Sequence, residues 1–258
     1  MNQVEKARAF GALHRKGTPV VLYNIWDAGT ARAVTEAGAK ALATGSWSVA
    51  AAQGYGDGEK IPLDALVAVA RQITAVNDLP LSVDVEGAYS TEPAGAAANV
   101  AKLIDAGAVG INLEDRVVGG SGLHAVENQA ARIRAIREMA EGRGIPFFIN
   151  ARTDLFLAEG DQSKHAGLVD EAIERGKAYA AAGGSGLFVP GLVDKGLIEK
   201  ICRASALPVN VMMWPGTPDQ KTLAELGVGR VSYGPGPYRA MIEKLKEAAA
   251  GVFAAAAG

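Results

Sequence analysis

The feature that most restricts what this chain can fold into is an alternation in its punctuation. Eight short apolar, β-rich segments recur along it: VVLYNIW (20–26), ALATGS (41–46), LSVDVE (81–86), GINLED (110–115), FFINART (147–153), GLFVPG (186–191), VNVMM (209–213) and RVSYG (230–234). Amphipathic stretches of helical length lie between them. Pro19, Pro80, Pro146 and Pro208 precede the odd-numbered segments, whereas Gly38, Gly107, Gly183 and Gly227 precede the even-numbered ones. Proline stops a helix and sets up extended chain, while glycine supplies the left-handed residue that commonly ends one. Repeated βα units of two kinds fit a closed parallel barrel whose odd and even strands feed different interior layers. The expected class is therefore α/β, a (β/α)8 barrel. An open doubly wound sheet is the structural alternative. Asn24-Ile25-Trp26-Asp27-Ala28-Gly29, after the first strand, offers a single glycine and lacks the phosphate cradle of a dinucleotide fold.

Helices are expected near 28–37, 62–76, 94–106, 126–141, 168–182, 194–204, 218–226 and 237–250. The whole of 1–258 then reads as one barrel domain, with 237–258 extending the last helix, packing on or swapping with a neighbouring subunit, or fraying. A chain with 49% hydrophobic residues can fill such a core. Lys and Arg number 26 against 28 Asp and Glu, so no field of one sign exists to attract nucleic acid, which is not an expected partner. No apolar run approaches a membrane span and the first residues mix both charge signs, so a cytoplasmic protein without a membrane partner is expected. The single cysteine, Cys202, lies in an expected helix and cannot form an internal disulfide or a zinc cluster.

Reactive groups in such barrels gather at the carboxyl ends of the strands. The third strand ends in Asp84-Val85-Glu86, whose period-two spacing puts both acidic side chains on one face, and the fourth ends in Glu114-Asp115. Carboxylates packed together must be protonated, hydrogen-bonded or neutralised by a cation. Asp84, Glu86 and Glu114 therefore read as oxygen ligands for magnesium or manganese, since no cysteine or histidine lies on these strands. For any one of them the plain alternative is a helix cap or a salt bridge, and that is the expected state of Asp115. Arg152 reads either as a two-pronged clamp for a substrate carboxylate or as the structural partner of Asp154. Asp57 and the turn Gly45-Ser46-Trp47 complete the mouth, the turn offering N–H groups and a hydroxyl to an anion.

Several residues carry paired readings. Tyr23 and Tyr233 point into the mouth or pack the barrel, and Asn210 binds a substrate oxygen or is a satisfied buried amide. Gly119-Gly120-Ser121-Gly122 is a lid or an ordinary loop. SYGPGPYR (232–239) reads as a loop-to-helix connection in preference to a phosphate cup. His14 and His165 are expected at the surface, while His124 is either exposed or a proton donor in a closed state.

YNIWDAGTA, ATGSWSVAAAQGYGDGE, SVDVEGAY, GINLEDR, INARTDLF and GLFVPG, in that order, resemble the isocitrate lyase/phosphoenolpyruvate mutase superfamily over essentially the whole chain. The resemblance implies a (β/α)8 barrel of the phosphoenolpyruvate-binding type, with magnesium near Asp84, Glu86 and Glu114, largely through water. It also implies a small oxo-acid substrate held by the Ser46 turn, Asp57 and Arg152, and a homo-oligomer, dimer or tetramer, whose subunits exchange the last helix. Two departures stand out. The isocitrate and methylisocitrate lyases carry a Lys-Cys-Gly-His type motif on a gating loop, where this chain reads Arg116-Val117-Val118-Gly119-Gly120-Ser121-Gly122-Leu123-His124. Pro190 stands where the mutases place a histidine. The candidate catalytic residues are Asp57, Arg152 and Tyr23, and the candidate substrate contacts Gly45, Ser46, Trp47, Asp84, Arg152 and Asn210. The function implied is a magnesium-dependent carbon–carbon lyase or decarboxylase. Its substrate would be a small 2-oxo or 2-hydroxy di- or tricarboxylate, such as oxaloacetate or 2-methylisocitrate, cleaved through an enolate. The alternatives are phosphorus–carbon chemistry on phosphonopyruvate or phosphoenolpyruvate, and a non-catalytic protein that binds a metal and an oxo acid.

Overall fold

Gly38, Gly107, Gly183 and Gly227 adopt φ of +98°, +95°, +97° and +90°, the left-handed region where a side chain is strained. Each hands a helix end on to the strand that follows. The computed structural model describes residues 1–256, and the last two residues of the expected 237–258 tail lie outside them. The strands are β1 (Val20–Leu22), β2 (Leu42–Ala43), β3 (Leu81–Asp84), β4 (Gly110–Glu114), β5 (Phe148–Arg152), β6 (Gly186–Phe188), β7 (Val209–Met212) and β8 (Arg230–Ser232). They are parallel, in the order β1-β8-β7-β6-β5-β4-β3-β2. The open edges meet just past the strand ends, where Ile25 N–H donates to Ala43 O at 2.9 Å and Gly45 N–H to Ile25 O at 3.3 Å. The result is a (β/α)8 barrel.

Seven of the eight expected helices appear within two residues of their expected ends as α2 (Ala28–Glu36), α4 (Leu63–Val76), α5 (Pro93–Asp105), α6 (Val126–Gly142), α8 (Val169–Ala181), α9 (Lys195–Ala204) and α10 (Gln220–Glu225). The last, α11 (Gly236–Ala256), runs longer, taking in the tail as far as it is described. The unanticipated helices are α1 (Gln3–Leu13), α3 (Ser46–Ala52) and α7 (Leu155–Ala158), with a 3₁₀ segment at Gln162–Leu168. No described helix is long and apolar enough to cross a membrane.

α1 is capped reciprocally by Asn2 and Glu5 and inserts Phe10, fully buried, edge-on against Phe148 at the start of β5. His14, one turn further, stacks on the same Phe148 with ring centroids 4.0 Å apart and places Nδ1 2.8 Å from Phe10 O. This corrects the surface expectation for His14, because it shares the inward face of α1 with Phe10. Burial, and then the charge of Arg230, push its imidazole down to about 3, so the ring is neutral. His14 is partly buried, whereas His165 is buried, with Nε2 2.9 Å from Glu159 O.

Strand alternation separates two layers. Val83, Ile111, Ile149, Leu187, Val211 and Val231 are fully buried in the apolar core. Their neighbours Asp84, Asn112, Asn150, Asn210, Arg230 and Ser232 are also buried, and form a polar barrel interior in which Arg230 reaches from β8 to Asn112 on β4 at 3.1 Å. One side of the barrel is left bare. Among its described residues α11 buries only Pro237, and Val21 on β1 and Tyr23 just after it stay exposed.

Candidate active site

The site begins where β3 ends. Asp84 N–H donates to Thr44 Oγ1 at 2.9 Å, and Asp84 Oδ2 accepts the Ser46 N–H, the first of α3, at 3.3 Å. The second oxygen, Oδ1, is buried with no protein partner. Glu86 does not follow from strand alternation, which is a correction to the period-two argument. β3 stops at Asp84, and Glu86 turns left-handed at φ +51°. Its carboxylate accepts the Glu59 N–H, at 3.0 and 3.1 Å from its two oxygens. Glu59, Ala88 and Tyr89 also have φ between +55° and +59°. Glu59 Oε1 accepts the Tyr89 N–H at 2.7 Å, so these strained residues hold one another. Burial raises the Glu86 carboxyl to about 7, with Asp57 and Asp84 adding repulsion against the Glu59 hydrogen bond.

Arg152, at the end of β5, forms the expected pair with Asp154. Its Nε and Nη2 donate to Asp154 Oδ1 and Oδ2 at 2.5 and 2.9 Å, which fixes the plane of the guanidinium. The remaining nitrogen, Nη1, lies 3.1 Å from Glu114 Oε2 and 3.9 Å from Asp84 Oδ2. Burial would lower its pKa, but Glu114, Asp154 and Asp84 outweigh that and raise it. Glu114 is pushed up by burial and by Asp154, Asp84 and Glu86, against the pull of Arg152. Asp57 is raised by burial and then by Asp84. Asp115 is fully buried, and Asp154 N–H (3.0 Å), Tyr179 OH (2.8 Å) and Arg175 Nη1 (3.1 Å) all donate to it, so it is the expected structural ion pair. It also fixes the backbone beneath Asp154.

These groups surround a cavity of about 210 Å³ that Ser46, Trp47, Asp57, Asp84 and Arg152 all line. A neighbouring lobe is lined by Asp57, Glu86, Glu114, Arg152 and the Val117–Gly120 loop. That loop is tied by the Arg116–Leu123 bridge and by Val117 N–H to Gly122 O at 3.1 Å.

Two candidates are not brought to the cavity. Tyr23 is 46% exposed against Tyr233 on the outer face, because its neighbour Asn24 takes the inward position. Asn210 lies within the barrel interior, its Oδ1 accepting Ser232 Oγ at 3.2 Å, with Ser232 between it and the opening. Asn24, Asn112, Ser232 and Arg239 line the cavity but were not singled out. Strand parity points to Asn24, since Val20 and Leu22 are buried and Val21 and Tyr23 are not. Its Nδ2 donates to Thr44 O, and its Oδ1 accepts the N–H groups of Tyr233 and Gly234 at 2.8 and 2.9 Å, pinning the mouth together. With those N–H groups engaged, the SYGPGPYR stretch serves as a connection.

Among the described residues, no group of three Asp, Glu, His or Cys side chains is placed to ligate one ion directly. Glu114 leans on Arg152, and Glu86 accepts the Glu59 N–H. The chemistry still fits a hydrated hard cation. Asp84 Oδ1 is buried and unpaired, and Arg152 is shared among Asp84, Glu114 and Asp154.

Residues 10–253 match the family model described as phosphoenolpyruvate phosphomutase. An uncharacterized protein of Mycobacterium tuberculosis is 35% identical over 244 residues, 95% of this chain and 88% of that one. The 2-methylisocitrate lyase of Escherichia coli is 30% identical over 219 residues, 82% and 71% of the two chains. The crystal structure of a candidate phosphonomutase from Burkholderia cenocepacia J2315 superposes with a TM-score of 0.93 at 46% identity, covering 95% of this chain and 98% of the other. The chain thus belongs to the phosphoenolpyruvate phosphomutase family, within the isocitrate lyase/phosphoenolpyruvate mutase superfamily of lyases and mutases.

Proposed function

We propose that the protein is a magnesium-dependent carbon–carbon lyase or decarboxylase that acts on a small 2-oxo or 2-hydroxy acid through an enolate. The observation that carries this reading is that Asp84, a buried carboxylate with one oxygen left unpaired, lines the same cavity as the guanidinium of Arg152. Asp84 would hold the cation, with Glu86 and Glu114 reached through its waters. When bound, magnesium supplies a Lewis acid for the carboxylate and the adjacent oxygen of the substrate. Arg152, held flat by Asp154, offers its free edge to the substrate carboxylate, which displaces Glu114 from Nη1. Asp57 lines both lobes and its carboxyl is raised, which suits it to move a proton at the reacting atoms. Release of pyruvate from a panel of oxaloacetate, 2-methylisocitrate and dimethylmalate, with and without magnesium, tests the reading. Turnover abolished by a chelator supports it, and calorimetric binding of oxalate without turnover of any compound favours a non-catalytic binder.

Phosphorus–carbon chemistry is the weaker reading for this cavity. A phosphonate carries more charge than a carboxylate, and the far wall, with Pro190 in it, offers no cation to receive it.

The oligomer belongs to the same proposal. The bare face of β1 forms an apolar groove with Leu13, Val20, Ala33 and Val34, while Met241, Leu245, Val252 and Phe253 on α11 stand 38%, 60%, 66% and 71% exposed. Contiguous exposed apolar surface normally meets a partner, and the apolar face of α11 of a second copy matches the groove in character.

A further inference from the structure

The cavity is chemically two-sided. Gly45, Ser46, Asp57 and Asp84, from the ends of β2 and β3 and their loops, present oxygen and N–H groups, whereas Leu157, Phe188, Pro190, Met212 and Trp214, from the ends of β5, β6 and β7, form an uncharged wall. The wall begins beside the clamp, with the Arg152 guanidinium carbon 5.8 Å from the centre of the Phe188 ring. Leu157 and Trp214 stay 37% and 38% exposed at its rim, two large apolar side chains left to water at the entrance of one pocket. Among the described residues, the cations lining the cavity are Arg152, already engaged by Asp154 and Glu114, and Arg239, held 4.8 Å over the ring of Trp47 in α3.

A substrate whose carboxylate head is clamped at Arg152 therefore turns its departing half onto the wall. A second carboxylate placed there would lose its water without gaining a partner. The expected di- or tricarboxylate does not suit this side, and neither does decarboxylation, which needs a carboxylate as the leaving half. An aldehyde leaves neutral.

Resting on the lyase reading above, we propose that the substrate is a 4-hydroxy-2-oxo acid whose carbon 4 carries an apolar group. The bond between carbons 3 and 4 breaks and its electron pair passes to carbon 3 as the enolate. The hydroxyl on carbon 4 gives its proton to Asp57 and becomes the aldehyde carbonyl, and carbon 3 takes one proton back to yield pyruvate. Leu157, Met212 and Trp214 are then specificity-determining residues.

The test compares 4-hydroxy-2-oxo-4-phenylbutanoate with 4-hydroxy-2-oxoglutarate and oxaloacetate, scored for pyruvate in magnesium, alongside calorimetric binding of phenylpyruvate and of oxaloacetate. The phenyl compound is expected to show a kcat/KM at least about tenfold higher, the low end of what one methylene is worth in an apolar pocket. Trp214→Arg, at an exposed rim position, is expected to reverse that preference with an unchanged circular dichroism spectrum. Faster cleavage of either carboxylate compound, or tighter binding of oxaloacetate than of phenylpyruvate, overturns the apolar assignment and leaves the lyase reading standing. No pyruvate from any of these compounds overturns the cleavage step, the lyase reading falls only if 2-methylisocitrate and dimethylmalate are silent as well, and the two binding measurements still decide the wall.

Discussion

Asp84 Oδ2 accepts the Ser46 N–H at 3.3 Å while its other oxygen finds no partner among the described residues, so one buried carboxylate both anchors the first turn of α3 and keeps an oxygen unpaired. The rest of the mouth is arranged around that free valence. Glu86 and Glu114 are each occupied by a donor of their own, and Arg152 is held in plane from behind.

Arg152→Lys keeps the charge and loses the fork that Asp154 grips. Substrate binding is expected to weaken by about tenfold or more in KM with a smaller change in kcat, because a clamp on the unreacting carboxylate acts on ground and transition states alike. Steady-state kinetics on whichever panel compound is turned over checks this, and an unchanged KM removes the clamp role.

Asp115→Asn leaves Arg175 and the Tyr179 hydroxyl facing a neutral amide in a fully buried site. A loss of about 3–5 kcal/mol is expected for breaking such a pair, which for a chain of this size lowers Tm by on the order of 10 °C. Thermal melting of the variant reads it directly, and a loss under about 1 kcal/mol would place this pair with ordinary surface bridges.

His14 gives the acid side of the stability curve a defined origin. Its folded pKa, near 3, lies below the ordinary 6.5, so between those values the unfolded chain binds the extra proton. The stability it contributes is complete above pH 6.5 and is lost as the pH falls toward 3, by up to about 1.4 kcal/mol per unit. His14→Phe should flatten that limb in urea titrations between those limits, and an unaltered slope would show that His14 is not its source.

Removal of residues 240–258 takes away nearly all of α11. Light scattering is expected to show a dimer or tetramer for the whole chain and a monomer for the shortened one. A monomeric whole chain contradicts the exchanged helix.

The barrel was legible because its signals are local. A proline or glycine at a helix end acts through its own backbone, and all four glycines before the even strands take the conformation their position demands. The strand-end carboxylates and Arg152 were legible for the same reason, through parity and position. Glu86 was not, because its direction depends on a left-handed turn held by Glu59, some 27 residues away in the chain. Asn24 and Tyr23 exchanged roles for want of one step of parity. His14 read as surface because nothing local shows that α1 turns one face, Phe10 and His14, onto Phe148. Arg230, buried across the barrel from Asn112, left no local mark at all.

The account stands on a divalent cation held at Asp84, and diffraction from crystals soaked in manganese and oxalate, using the anomalous signal of the metal, tests it most directly. A single peak bonded to the Asp84 carboxylate, with Glu86 and Glu114 joined to it through water and no peak in crystals of Asp84→Asn, is the predicted result. No peak in the native crystals, with Arg152 still bridging Glu114 and Asp84 beside bound oxalate, would contradict it.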